Sequence, residues 1–175
     1  MFTVDRLLRG SVAKDAASTL DHPLEHLVAC HGRIEERLSI LERAAAHLDS
    51  KPEEARQAIE SVFRYFETSG VAHTADEEQS VFPRIEERLT PEEKAYIASL
   101  ESQHREADEL YERLKQVPAP GQDPEPYRRV VAQFAALYRS HIASENDRLI
   151  AVGKRLLTAA ELETISAEMR QRRFH

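Results

Sequence analysis

Apolar residues recur at intervals of three and four through most of the chain, the period of a helix with one buried face. The first stripe runs Leu24, Leu27/Val28, Ile34, Leu38, Leu41, Ala45 and Leu48. A second runs Ile59, Val62/Phe63 and Phe66, then Gly70, His73 and Glu77. The third is Ile97, Leu100, His104, Ala107/Asp108, Tyr111 and Leu114; the fourth is Tyr127, Val130/Val131, Phe134, Leu137/Tyr138, His141, Glu145 and Leu149. No segment alternates as a strand does.

Start and stop signals divide the stripes. Asp21 reads as the first N-cap, with Pro23 in the first turn. Ser50-Lys51-Pro52-Glu53 and Thr90-Pro91-Glu92-Glu93 read as capping boxes, and Thr158-Ala159-Ala160-Glu161 caps a last short helix through about Arg172. Leu162, Ile165 and Met169 form its inward face. Pro83 ends or kinks the second helix. Gly70 marks close packing or a bend, and residues 118–124, rich in Pro and Gly, form the clearest loop. Residues 1–20 are a weakly periodic lead-in. The expectation is an all-α fold: an up-down-up-down four-helix bundle with an additional short C-terminal helix, one domain over 1–175 with its core at roughly 20–173.

Histidines interrupt these stripes in a regular way. His31, His73, His104 and His141 each precede a carboxylate by four residues: Glu35, Glu77, Asp108 and Glu145. Chance would give about one such pair at this composition, with 31 acidic residues among 175. Residues four apart share a helix face. A histidine on an apolar face must find a hydrogen-bond partner or bind a metal. Four of them, one per helix, aimed at a common interior, make the donor set of a metal site in a bundle.

The spacing narrows the chemistry. Glu-x-x-His occurs once among these ligands, as Glu101 to His104, which disfavours the ferritin-like carboxylate arrangement. His-Glu-x-x-His is absent, and a single cysteine excludes a thiolate zinc cluster. Mixed imidazole and carboxylate ligation suits iron, manganese or zinc. Two six-coordinate metals offer about twelve positions. Four histidines, Glu77 and Glu145 as bridges, a bridging oxide or hydroxide, and a terminal Asp108 leave one open, where dioxygen, peroxide or nitric oxide could bind.

Other candidates weigh less. Glu35 is expected to accept a hydrogen bond from a histidine or to lie on the surface. Glu78 and Asn146 lie about 140° around the helix from His73 and His141, so helix geometry favours Glu77 and Glu145. Tyr111 and Tyr138 read as core packing. His22, His26 and Cys30 also fall four apart, but His22 and His26 lie about 180° and 140° from His31, which predicts helix-end and surface placement. His47 and His175 show no pattern. Cys30 adjoins a candidate ligand, and its exposure decides whether it is redox-sensitive.

Charge and composition exclude some classes. A net charge of −7 gives no general case for nucleic acid, and the basic tail Arg170, Arg172, Arg173 reads as cations at a helix C-terminus. No apolar run suffices to cross a bilayer, the first residues lack the apolar stretch of a secretion signal, and the lone cysteine fits a reducing cytoplasm. No phosphate loop or catalytic nucleophile can be assigned.

The residues Cys30-His31-Gly32-Arg33-Ile34-Glu35, His73-Thr74-Ala75-Asp76-Glu77-Glu78 with Phe82-Pro83, Gln103-His104 and His141-Ile142-Ala143-Ser144-Glu145 together resemble the hemerythrin-like (HHE cation-binding) domains. Met169-Arg170-Gln171-Arg172-Arg173 resembles the ending of a bacterial branch. The resemblance spans roughly residues 20–173. It implies a diiron centre with terminal ligands His31, His73, His104 and His141 and bridges Glu77 and Glu145. It also implies binding of oxygen, handling of nitric oxide or peroxide, or sensing and storage of iron. The founding members carry a second histidine where this chain has Asp108. A carboxylate there favours the oxidised pair and so redox reactivity over reversible oxygen carriage. The alternatives are an iron store or sensor without turnover, a zinc-clamped structural bundle and, least, a histidine phosphotransfer domain.

Overall fold

The computed structural model describes residues 19–174, all helix and connecting turns with no strand among them; most of the lead-in falls outside that range. Helix α1 is Pro23–Ala46. The second rod, α2 (52–85), joins the α-helical pieces Pro52–Tyr65, Val71–Ala75 and Phe82–Ile85 through two wider π-turns, Phe66–Gly70 and Asp76–Val81, and closes on a 3₁₀ turn, Glu86–Arg88. Helix α3 is Pro91–Leu114. The rod α4 (125–156) is α-helical over Glu125–Ser144 and Ile150–Leu156, with a π-turn at Glu145–Leu149 between them. Helix α5 is Ala159–Phe174.

The four long rods pack as a bundle. Helix α1 lies between α2 and α4, and α3 lies against α4. The hydroxyl of Tyr111 on α3 donates to the Phe63 carbonyl on α2. Helix α5 covers α1 and the second π-turn of α2. The apolar stripes meet in two separate cores. One gathers Ile34, Leu38, Ile59, Val62, Phe66 and Phe134. The other gathers Leu27, Val81, Ile85, Leu100, Leu149 and Ile165. Each fully buried side chain of this size contributes about 1.5–3 kcal/mol. On every rod the histidine falls in sequence between residues of the two cores, so a polar belt crosses the bundle between two apolar halves.

The caps divide into those that form and those that do not. Thr90 accepts from the Glu93 amide while Glu93 accepts from the Thr90 amide, the reciprocal pair expected. Thr158 and Glu161 do the same for α5. The box expected at Ser50 does not form: Lys51 occupies the cap without a side-chain bond, and Ser50 meets His47. Asp21 does not cap α1 either; it pairs with Arg170 on α5. In both cases Pro opens the helix, so the residue just before it, His22 or Lys51, takes the N-cap position and leaves Asp21 and Ser50 one residue too far back to cap. Pro83 neither breaks α2 nor ends it, because the π-turn before it has already altered the backbone ladder its ring would disrupt. Gly121 closes a turn in the predicted loop with φ of 85°, a conformation glycine adopts without penalty.

Candidate metal centre

All four stripe histidines are buried and converge on the belt, together with Glu77 and Glu145, whose side chains are wholly excluded from solvent. They form two sets that share both carboxylates. In one, ligand atoms of His31, His73, Glu77 and Glu145 lie within 4.8 Å of one another; in the other, those of His104, His141, Glu77 and Glu145 do.

Each carboxylate spans the two sets. Glu77 Oε1 lies 3.5 Å from His73 Nε2 and 3.8 Å from His31 Nε2, while its Oε2 lies 3.5 Å from His104 Nε2. Glu145 turns Oε2 toward His31 Nε2 at 3.2 Å and Oε1 toward His141 Nε2 at 3.0 Å. None of these four carboxylate oxygens makes a hydrogen bond of proper geometry, nor does His31 Nε2. Orphaned acceptors at such depth are costly unless a cation satisfies them. His104 Nε2 and His141 Nε2 face each other at 3.0 Å. That is about the separation of two nitrogens bound at right angles to one metal at roughly 2.1 Å. The donor set therefore fits bound metal.

The π-turns do the aiming. Glu77 lies in the π-turn of α2 and Glu145 opens that of α4. Beside each, the next residue also reaches the site. Glu78 Oε1 lies 2.7 Å from His104 Nδ1, so Glu77 and Glu78 together address both nitrogens of one ring. Asn146 Oδ1 lies 2.7 Å from His31 Nδ1, so Glu145 and Asn146 do the same for another. Regular-helix geometry assigns no such role to Glu78 and Asn146. A π-turn fits more residues into a turn and shifts side chains out of that register. Gln103 carries no spacing signal either, yet its Oε1 lies 2.8 Å from His141 Nδ1. Each of these acceptors fixes a ring nitrogen as an N–H donor and leaves Nε2 for the belt. His73 alone differs, with a buried Nδ1 that has no partner among the described residues.

The other two carboxylates of the repeated spacing point away. Glu35 is bound to Arg139 on the flank of α1 and α4 and touches no histidine of the belt. Asp108 is exposed, belongs to neither set, and lines a cavity of about 450 Å³ between α2 and α3 with Phe66, Tyr111 and Tyr138. Both follow their histidines in uninterrupted helices, α1 and α3. Tyr138 packs at 6.4 Å from the His141 ring, in keeping with a packing role.

The belt's electrostatics follow from its burial. Burial by itself lowers the His31 pKa, but the close approach and negative charge of Glu145 and Glu77 outweigh it and lift it to about 10. For His104 burial again opposes, and Glu77 with Glu78 lifts it to about 9. His73 is pushed down, first by burial, with the positive charge of His31 adding to it. Glu77 is held well below the usual carboxylate range: burial opposes this, and the close imidazoles of His73, His104 and His31 overcome it. A metal ion binding here must displace protons from His31 and His104.

Helix α5 braces the belt from behind. Asp76, next to Glu77, is completely buried and accepts from Arg172 at 2.9 Å and from Arg173 at 3.2 and 2.6 Å. Arg172 also donates to Ser80, and Ser80 to Glu168, which Arg84 holds from α2. The basic tail therefore does more than complement a helix end: two of its three arginines clamp the π-turn that presents Glu77. The surface placement expected of His26 is also overturned. It is fully buried under this clamp, 2.8 Å from Thr19 Oγ1 and 3.5 Å from the buried Cys30 sulfur. Helix α5 covers a face that would otherwise be exposed. His22 does lie at the exposed helix end.

No described helix is long and apolar enough to cross a membrane. The family model for the hemerythrin HHE cation binding domain matches residues 22–152, which include all six belt residues. No curated protein matches the chain.

Proposed function

We infer function from the premise that this chain belongs to the hemerythrin HHE cation-binding family and is a metal-binding helical domain. Our reading is a non-haem diiron protein, a single helical domain, that binds, senses or reduces a small oxidant or gas: dioxygen, nitric oxide or peroxide. His31 and His73 would hold one iron, His104 and His141 the other, with Glu77 and Glu145 bridging. One observation carries this above all: each of the two buried carboxylates presents one oxygen to each histidine pair. A single-metal site would need only one such cluster.

Bound iron supplies Lewis acidity and one-electron redox chemistry next to an exchangeable position. The chain supplies the rest. Glu78, Gln103 and Asn146 fix ring orientation, and the two apolar cores restrict water around the belt. With Asp108 directed outward, ligation by four histidines and two carboxylates leaves one more position open than ligation that includes Asp108. An outward Asp108 does not favour an oxidised pair by direct ligation. Oxidation rather than reversible carriage is still our expectation, since the histidine that the founding members carry at position 108 is missing here and a further metal position stays open to solvent or oxidant. The single cysteine fits a reducing compartment such as the cytoplasm.

The test is metal analysis and spectroscopy. Iron-loaded protein should hold two irons per chain and convert to a diferric form on mixing with oxygen, without an adduct that vacuum releases. Consumption of added peroxide would mark turnover; iron retention with no consumption would mark a store or sensor. Preference for zinc with no near-ultraviolet iron absorption would leave only the structural bundle.

A further inference from the structure

A second cavity, about 360 Å³, lies behind the belt between α1, α2 and α5. Its chemistry is unlike the rest of the molecule. Arg33, Arg172 and Arg173 all line it, in a chain of net charge −7. The buried counter-charge beside them is a single carboxylate, Asp76, which Arg172 and Arg173 share. Arg33 has no ion-pair partner among the described residues; its Nη2 donates to the Cys30 sulfur at 2.9 Å. Three guanidinium groups against one carboxylate leave a surplus of two positive charges around a partly desolvated space. His26, in the same wall, adds no charge to this surplus: burial first, then Arg173 and Arg33, lower its pKa to about 3. The remaining wall carries hydroxyls, from Tyr65, Thr68 and Ser69.

We propose that this cavity is a binding site for a tetrahedral oxyanion of the phosphate class, free or as the phosphate of a small monoester. Guanidinium forks match phosphate oxygens, and a phosphate of charge near −2 balances the surplus. A phosphate offers more acceptors than a carboxylate, and the hydroxyls of Tyr65 and Ser69 can donate to those the guanidiniums leave over, while that of Thr68 already donates to the Arg64 carbonyl. The volume equals that of about twelve waters in the liquid, more than inorganic phosphate fills, so a small organic group could share the space. The inference does not require metal in the belt: none of the lining residues is among the six of the belt, and Arg172 and Arg173 connect to it through Asp76.

Isothermal titration of the protein as purified tests it, with inorganic phosphate, glycerol phosphate, and chloride at matched ionic strength. Saturable binding of phosphate or its monoester, absent with chloride, is expected. Arg33→Met, at unchanged metal content and melting temperature, should weaken it by about tenfold or more, the worth of one charge-assisted bond. Ser69→Ala, at an exposed position of the wall, should weaken it less. Tighter binding of the monoester identifies an organic phosphate; equal binding identifies the free ion. No saturable binding of either, or binding that both variants leave untouched, overturns the proposal. The second result would assign any phosphate uptake to the belt.

Discussion

The two halves of the belt follow one plan and differ at two contacts. In each half, two histidines from neighbouring rods face the same two carboxylates, and one imidazole is addressed at both nitrogens from a π-turn. In the His104/His141 half the outer partners are a carboxylate, Glu78, and an amide, Gln103. In the His31/His73 half they are an amide, Asn146, and nothing at His73 Nδ1. The residue before His104 is Gln103, whereas the residue before His31 is Cys30, a weak acceptor. A carboxylate partner raises the basicity of a ligand imidazole, so two metals held by identical ligand types would occupy inequivalent positions. His73 is the least anchored of the four.

The largest effect should come from removing what the halves share. Glu77→Ala or Glu145→Ala should drop iron content from two per chain to below one. Glu35→Ala and Asp108→Ala should leave it at two, since both side chains lie outside the belt. Plasma emission metal analysis after desalting decides this, and loss of metal in the Asp108 variant would put that carboxylate back among the ligands.

A second intervention acts on the shared carboxylate Glu77 from a distance. Asp76→Asn leaves Arg172 and Arg173 without their buried counter-charge. Breaking such a pair costs about 3 kcal/mol, somewhat less here because the arginines keep some solvent contact. Chemical denaturation should show that loss. Competition against a chelator should show metal affinity weakened by about tenfold, the usual effect of losing support behind a ligand. Unchanged affinity would mean that the clamp serves only the fold.

The inequivalence itself can be read by substoichiometric loading. One equivalent of cobalt(II) should give paramagnetically shifted imidazole signals from His104 and His141 before those of His31 and His73. Glu78→Gln should reduce that preference by about tenfold, and equal filling in the parent protein would refute the asymmetry.

The smallest effect concerns the two buried histidines of α1. His26 has a folded-state pKa of about 3, below its ordinary 6.5, so the unfolded chain binds more protons between those values. Its contribution to stability is present above pH 6.5 and is lost as pH falls from 6.5 toward 3. His31 has the opposite sign in metal-free protein: raised to about 10, its contribution is present below pH 6.5 and lost as pH rises through 10. Denaturant midpoints of metal-free protein should therefore fall between pH 7 and 5, less steeply in His26→Gln. An identical slope in the variant would assign the acid sensitivity elsewhere.

Much of this arrangement is legible from periodicity. Each of the four histidines sits where an apolar residue belongs, and that place on the helix face points it inward. The α3 and α5 capping boxes are legible for a similar reason, since their residues act on neighbours three positions away. What escapes is register and tertiary cover. The four His-x-x-x-acid pairs look alike in sequence, yet only those on α2 and α4 turn both members inward, where a π-turn begins near the carboxylate. Nothing in local propensity marks a π-turn there, so Glu78 and Asn146 fall about 140° out of place when read on a regular helix. His26 and Asp76 are hidden from sequence reasoning because the element that buries them, α5, arrives from the far end of the chain. The arginines of the tail could have suggested it, as cations needing a partner, but no spacing rule links position 76 to 173.

The most direct test is anomalous diffraction at the iron edge from crystals of the iron-loaded protein. Two peaks about 3.5 Å apart, both flanked by Glu77 and Glu145 and each by one histidine pair, are predicted. A single peak, or metal seated away from those two carboxylates, would contradict the shared-bridge centre.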